Sequence, residues 1–183
     1  MYMTVRDGVN TALRNIGLAG FSGVAVVAPN AIRGLELLLK KTNVVNQRRI
    51  LAELKRQGLV DIVKNQSGMH YTITPAGAHR LQKLEIDELF IIMPKKWDKK
   101  WRLVTFNIPK DFNYPRMLFV EQLKRLGFYM LQKNMWAHPA PCFEQIEHLA
   151  GYYNLMRYCT LIEVAKLDQL STQKLYRKFA DRL

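Results

Sequence analysis

The side chains best placed for chemistry lie between residues 46 and 56, where amide and basic groups recur along one predicted helix. The stretch from Gln47 to Gln57 consists of helix formers with no breaker before Gly58, and the preceding residues 43–46 offer Asn43 and Asn46 as N-caps. Amides and guanidinium groups near the start of a helix hydrogen-bond well to base edges and phosphates. The pattern therefore predicts recognition chemistry rather than bond cleavage.

The predicted helix has two opposed faces. At about 100° per residue, Ile50, Leu51 and Leu54 fall on one arc. The opposite arc consists of Arg48, Arg49, Ala52, Lys55 and Arg56. We expect the apolar arc to dock on neighbouring helices and the cationic arc to face a polyanion. The alternative is a basic, solvated face on a purely structural helix.

Two short strands and a capped helix follow the cationic helix. Residues 59–63 and 69–73 read as strands around a turn-rich connector, and Thr74-Pro75 places a capping hydroxyl before a proline that opens a helix to about Leu89. This order is the pattern of a winged helix, in which the hairpin tip lies over phosphates. The predicted contacts on double-stranded DNA are Asn46, Gln47, Arg48 and Arg49 at base edges or the nearest phosphates, and Lys55, Arg56, Lys64 and Asn65 on the backbone.

A second basic cluster, at residues 95–102, combines five cations with Trp97 and Trp101. Interleaved aromatic and basic side chains suit single-stranded nucleic acid, because bases stack on the rings while the charges attract the backbone. The alternative, which we favour, is that each tryptophan packs between domains while the lysines stay in water.

The rest of the chain alternates strands and helices. We predict strands at residues 102–108, 128–132, 135–138 and 158–165, helices at 114–126 and 142–153, and a tail helix capped by Ser171. Strand, helix, strand, strand, helix, strand is the order of a split, ferredoxin-like unit. The predicted fold class is therefore α+β, with an N-terminal winged helix-turn-helix, a ferredoxin-like βαββαβ domain and a C-terminal helix.

Signatures of catalysis are scarce. The sequence has no glycine-rich phosphate loop, no nucleophile elbow and no two-histidine metal helix. Its histidines, which we expect to be structural or exposed, are scattered at His70, His79, His138 and His148. Cys142 begins a predicted helix, where a thiol pKa is often lowered, but no general base accompanies it. We favour a packed free cysteine.

Composition and charge bound the function further. The 183 residues carry 28 lysines and arginines against 15 acidic residues, a formal net charge of +13. Such a surplus predicts attraction to polyanions, nucleic acid first and anionic membrane second. The contents of 23% charged and 10% aromatic residues are ordinary for a globular protein and exclude a disordered tail, a collagen-like repeat and a simple coiled coil. Two cysteines without metal-ligand spacing favour a reducing, cytoplasmic setting.

Residues 16–28 are the one stretch of the sequence that could form a membrane anchor. No charge occurs between Arg14 and Arg33, but three glycines dilute the run and Pro29 shortens it, so we favour a buried helix or hairpin over a membrane anchor. We predict three parts: an apolar N-terminal helical segment (1–29), a winged-helix DNA-binding domain (30–93) and a ferredoxin-like dimerisation domain with its tail helix (94–183).

Three stretches of the second half resemble the PaaX-like transcriptional repressors. They are KWDKKWRLVTFNIP at 96–109, LKRLGF at 123–128 and LQKNMWAHP at 131–139. Those repressors join a winged helix to a ferredoxin-like domain akin to the small CRISPR-associated adaptation endonuclease. The resemblance implies a cytoplasmic regulator that binds promoter DNA as a homodimer, and it allows a small-molecule effector. The sheet face bearing Leu103 and Thr105 is the predicted dimer contact.

The same resemblance supplies a hypothesis from the enzyme class, a CRISPR-associated metal-dependent endonuclease or integration-complex subunit. In that nuclease an aspartate at the end of the first ferredoxin strand holds a divalent metal, and the corresponding residue here is Asn107. A neutral amide lacks the charge that Mg²⁺ or Mn²⁺ favours, and Asp111 on a loop is a poor substitute. We therefore predict no cofactor and no catalytic residues, with Asn107 and Asp111 as metal ligands only if the nuclease alternative holds.

Overall fold

The computed structural model describes residues 4–21, 26–28, 44–65 and 68–183 of a chain that divides into two compact units, residues 1–87 and 88–183. The described elements comprise six α-helices and two antiparallel sheets, so the predicted α+β class is confirmed. Residues 22–25 of the apolar run lie outside the described part. Within that part, no helix combines the length and the hydropathy needed to cross a membrane.

The first unit places helices around a three-stranded sheet. Its described elements are α1 (Val5–Phe21), β1 (Val26–Ala28), α2 (Val44–Arg56), β2 (Val60–Asn65), β3 (Gly68–Ile73) and α3 (Pro75–Glu88). The strands are antiparallel in the order β1-β3-β2, and Tyr71 in the central strand pairs with Val26 on one side and Ile62 on the other. The predicted hairpin and the helix after it are confirmed.

An apolar stripe on α1 meets the apolar arc of α2 in the core of this unit. Val9, Leu13 and Ile16 recur at helical spacing and are buried together with Ile50 and Leu54. The same cluster also contains Ala12, Leu59, Val60, Tyr71 and Leu81. Burial of one face of α2 obliges its opposite face to point outward.

Local signals set the path from α2 to α3. Gly58 adopts a φ of 60°, the left-handed conformation that commonly ends a helix. The Thr74 hydroxyl accepts the backbone N–H of Gly77 at 3.0 Å and donates to the carbonyl oxygen of Gly58 at 2.6 Å. The predicted helix stop and the predicted cap are both confirmed.

The second unit is built on a four-stranded antiparallel sheet. Its elements are β4 (Trp101–Phe106), α4 (Asn113–Arg125), β5 (Tyr129–Gln132), β6 (Met135–His138), α5 (Phe143–Tyr152), β7 (Cys159–Val164) and α6 (Gln169–Phe179). The strand order is β5-β6-β4-β7. β4 ends two residues earlier than predicted, ahead of Pro109, which has no N–H to donate to a ladder.

Helix α6 covers part of one sheet face. Leu175 and Phe179 pack in one apolar cluster with Trp101, Leu103 and Ala137. On the opposite face, Phe106 meets Phe119 of α4 with ring centroids 5.7 Å apart. Because Leu103 is buried, the predicted dimer contact through this residue is wrong.

The predicted cap of α6 is also wrong. The helix begins at Gln169, and its N-cap is Asp168, whose carboxylate accepts the backbone N–H of Ser171 at 2.9 Å. Both residue types are good caps. Ser171 therefore lies inside the first turn and receives the cap instead of providing it.

Candidate nucleic-acid interface

Helix α2 presents the two faces that its sequence predicts. Ile50 and Leu54 are buried, and Leu51 is half-buried. All members of the predicted cationic arc are exposed, namely Arg48, Arg49, Ala52, Lys55 and Arg56. We call Arg48, Arg49 and Lys55 the cationic face of α2.

Gln47 does not belong to that face. Its side chain is only 3% exposed, because it lies three positions before Ile50 and seven before Leu54, on the buried side of the helix. A base contact from this side chain does not fit the structure. We leave Gln47 out of the proposed DNA-contacting set.

Arg56 is exposed but already paired. Its Nε lies 2.8 Å from Oε2 of Glu53 and its Nη2 lies 2.6 Å from Oε1. The hydrogen bond from Arg56, followed by one from Gln57, lowers the pKa of Glu53 to about 2. The carboxylate therefore stays ionised at neutral pH and cancels the charge of Arg56.

The cationic face itself carries unopposed charge. No ion pair or side-chain hydrogen bond joins Arg48, Arg49 or Lys55 to any residue that the structure describes. Three positive groups project from the side of α2 opposite Ile50 and Leu54. Such groups bind phosphate without first breaking an intramolecular pair.

Three other predicted contacts have side chains outside the described part of the structure. The backbone of Asn46 lies in the first turn of α2, and the backbones of Lys64 and Asn65 end β2, opposite Met69 and Gly68. Lys64 and Asn65 are therefore at the tip of the hairpin. Their DNA contacts remain predictions.

Trp97 and Trp101 pack within the second unit. Their ring centroids are 4.8 Å apart, and Trp101 also contacts Tyr176 and Phe179 of α6. The indole N–H of Trp97 donates to the carbonyl oxygens of Lys100 and Pro139, at 3.0 and 3.2 Å. Buried Trp101 offers no free ring face for base stacking. These contacts favour the packing alternative, with partners inside the unit.

Arg102, one of the five cations of the junction cluster, is not free for nucleic acid. Its side chain is 4% exposed and pairs with the carboxylates of Asp98 and Glu163 while donating to the carbonyl oxygen of Pro139 at 2.9 Å. Lys100 shares Glu163 at 2.6 Å. The hydrogen bond from Arg102 lowers the pKa of Asp98, and that from Lys100 is the larger cause of the lowered pKa of Glu163.

The surroundings of Asn107 do not suit a divalent cation. Asn107 lines a cleft of about 240 Å³ together with Lys110, Arg116 and the amides of Asn113 and Asn134. No carboxylate is among the lining residues, and Asp111 is exposed in a single 3₁₀ turn outside them. The described residues contain no group of three His, Cys, Asp or Glu side chains that could hold a metal ion. Mg²⁺ and Mn²⁺ favour sites with one or more carboxylates, so the residues around Asn107 support no metal-dependent cleavage step.

His138 and Cys142 are buried structural residues. Burial lowers the pKa of His138 to about 4, and its Nδ1 accepts the backbone N–H of Ala140 at 3.1 Å. Burial raises the pKa of Cys142 to about 12. A neutral thiol is a poor nucleophile, so the packed-cysteine alternative is confirmed.

One basic surface was not predicted from the sequence. Arg116 and Lys124 on α4 and Lys133 in the β5–β6 turn line a common cleft. The spacing of eight residues between Arg116 and Lys124 indicates that they share one face of α4. Only the folded hairpin brings Lys133 beside them.

Comparison with known proteins bears on the second unit. Residues 94–176 match the family described as the PaaX protein central Cas2-like domain. No curated protein matches the chain. The resemblance to the PaaX-like family is thereby confirmed over this range.

Proposed function

Because residues 94–176 carry the central Cas2-like domain of the PaaX family, we propose that the protein is a double-stranded-DNA-binding transcriptional regulator that acts as a homodimer, and that it represses its targets. The observation that carries the proposal is the cationic face of α2. Arg48, Arg49 and Lys55 are exposed opposite the buried Ile50 and Leu54. The match to the PaaX family and the outward-facing cationic helix both favour DNA as the partner.

The topology of the first unit supports a winged helix. Among the described residues, the order is helix, strand, helix, hairpin and helix, and the sheet order β1-β3-β2 places the hairpin beside the short first strand. In a winged helix the helix before the hairpin enters the major groove and the hairpin lies over the adjacent backbone. We therefore assign α2 as the recognition helix and place the DNA-binding domain within residues 30–93.

The residues of the cationic face would make two kinds of contact with DNA. Arg48 and Arg49, near the start of α2, would reach base edges or the nearest phosphates, where a guanidinium group binds in a bidentate manner. Lys55, two turns on, would hold the backbone as a point charge. Asn46, Lys64 and Asn65 complete the proposed set from the helix start and the hairpin tip. Arg56 contributes only after Glu53 releases it.

The second unit supports a dimerisation role. Its strand, helix, strand, strand, helix, strand order and its β5-β6-β4-β7 sheet fit a ferredoxin-like domain. Leu103 is excluded from the contact by α6, whereas Ile162 on the edge strand β7 remains 37% exposed. We propose that the homodimer forms through the part of the sheet that α6 leaves open.

Salt-dependent binding tests the DNA proposal. A duplex is selected from a random pool, and its affinity for the full chain is followed by fluorescence anisotropy as salt is raised. We expect Arg48→Ala/Arg49→Ala/Lys55→Ala to weaken binding more than about tenfold and to reduce the slope of log K against log salt by about 3, one unit per lost phosphate contact.

The control removes the same charges elsewhere. Lys174→Ala/Arg177→Ala/Lys178→Ala changes three exposed cations on α6 and should leave affinity and slope nearly unchanged. Near-ultraviolet circular dichroism confirms that both triple variants are folded. Equal losses in the two variants would show that only net charge matters, and no loss in the first would disprove that α2 reads DNA.

A further inference from the structure

A cleft of about 400 Å³ lies between α4 and the β5–β6 hairpin. Six of its lining residues lie on one face of α4, namely Asn113, Arg116, Met117, Val120, Glu121 and Lys124. The hairpin adds Met130, Lys133 and Trp136. Its volume is in the range of small-molecule sites.

The wall of the cleft is apolar. Met117 and Met130, which line the same cleft, are both 49% exposed, a large fraction for apolar side chains of this size. Val120 and Trp136 are the other apolar residues of the lining. Methionine side chains adapt their shape to an apolar ligand at little cost.

The rim of the cleft is cationic. Arg116, Lys124 and Lys133 line it, against the single carboxylate of Glu121. No ion pair or side-chain hydrogen bond joins these four side chains to another described residue. The adjoining cleft shares Asn113 and Arg116 and adds Lys110 with no further carboxylate. The charge of the whole surface therefore favours an anion.

Trp136 supplies a second, independent observation. Its side chain is 3% exposed, and its Nε1–H has no hydrogen-bond acceptor among the described residues. A buried donor without an acceptor is rare and costly. An indole only donates, so the partner that this nitrogen lacks is a hydrogen-bond acceptor.

We propose that this cleft binds a small organic anion with an apolar body. The apolar part lies against Met117, Val120 and Met130, the anionic group lies beside Arg116 and Lys133, and one acceptor oxygen takes the N–H of Trp136. This binding site goes beyond the proposed DNA contact. It is tested without DNA, so the two proposals fail separately.

The probe is 8-anilinonaphthalene-1-sulfonate, an aromatic sulfonate, titrated into the full chain at neutral pH and low salt. We expect saturable binding at one site and weaker binding of N-phenyl-1-naphthylamine, which has the same rings without the charge. Arg116→Gln/Lys133→Gln should raise the Kd of the sulfonate about fivefold or more and leave that of the neutral amine nearly unchanged. Trp136→Phe, which keeps an aromatic ring, should raise the Kd of the sulfonate about threefold.

The control variant Lys95→Gln/Lys96→Gln removes two exposed cations that line neither cleft, and its Kd should stay within about twofold of the native value. Unfolding curves establish that every variant compared is native, because the dye also binds loosened states. Absence of saturable binding, or equal effects in both charge variants, overturns the proposal. So does an unchanged Kd in Trp136→Phe.

Two other occupants give distinct results. A nucleic-acid strand in the cleft predicts that Arg116→Gln/Lys133→Gln weakens oligonucleotide binding as much as dye binding. A second copy of the chain predicts that the same variant dissociates the dimer in sedimentation and that the dye binds only on dilution. Either result overturns the proposal of a small organic anion.

Discussion

The backbone carbonyl oxygen of Leu59 lies 2.0 Å from the position that a Cβ atom on Gly77 would occupy. No side-chain rotation relieves this contact, because the oxygen belongs to the chain entering β2. The first turn of α3 therefore approaches the backbone just before β2 this closely only because residue 77 has no side chain.

Replacing Gly77 with Ala should destabilise the first unit by about 2 kcal/mol or more. Alanine favours a helix by up to about 1 kcal/mol relative to glycine, but the steric conflict with Leu59 exceeds this gain. Gly151→Ala is the matched control, since nothing lies within 4 Å of its Cβ position in α5. Urea unfolding should show destabilisation in the first variant and no loss, or a gain of several tenths of a kcal/mol, in the second.

Replacing Glu53 with Gln should strengthen duplex binding about threefold at low salt. The change removes a negative charge beside the cationic face and releases the guanidinium group of Arg56. The gain should vanish at high salt, where the charges are screened. Glu144→Gln is the control, because it removes the same charge from an exposed side chain in the first turn of α5. It should have little effect on duplex binding at any salt concentration. A weaker complex in Glu53→Gln would contradict the role assigned to α2.

Stability should fall by about 2 kcal/mol between pH 7 and pH 5 because of His138. Burial lowers its pKa from 6.5 to about 4 in the folded protein. The unfolded chain therefore binds the extra proton over this range, and unfolding becomes easier as the pH falls. In His138→Gln the difference between the two pH values should largely disappear. An equally steep dependence in this variant would assign the effect to other groups.

Arg102→Ala should cost about 2 to 4 kcal/mol of unfolding free energy, because it leaves Asp98 and Glu163 without their central cation and removes one of the two donors to the carbonyl oxygen of Pro139. Lys100→Ala breaks only an exposed pair with Glu163 and should cost no more than about 1 kcal/mol. Thermal unfolding of both variants at neutral pH compares them. Similar losses of unfolding free energy in the two variants would show that the buried ion pairs of Arg102 stabilise the fold no more than an exposed pair does.

Asp168→Ala should destabilise the docking of α6 by about 1 kcal/mol, the usual value of an N-cap. Ser171→Ala should be nearly neutral, since Ser171 donates its backbone N–H to the cap and keeps that group. Hydrogen exchange of the α6 amides distinguishes the two variants. Faster exchange in Ser171→Ala than in Asp168→Ala would instead support Ser171 as the N-cap, as the sequence predicts.

Local signals made most of the elements predictable. Gly58 ends α2 and the Thr74 hydroxyl caps α3 through atoms only a few residues away. The alternation of residues 59–63 and 69–73 likewise reflects neighbours within one hairpin. Errors occurred where two local signals competed, as with Asp168 and Ser171, because either residue satisfies the same backbone donors.

The amino-acid sequence by itself determined the periodicity of α2, its excess of positive charge and the strand and helix order of the second unit. These properties depend on residue type and on spacing within a few turns. Only the tertiary structure decided which charged groups remain accessible, because that depends on partners far away in the chain. Arg102 is neutralised by Glu163, 61 residues later, and Leu103 is covered by Leu175. Trp136 and Lys133 become neighbours of Arg116 only when the hairpin folds against α4.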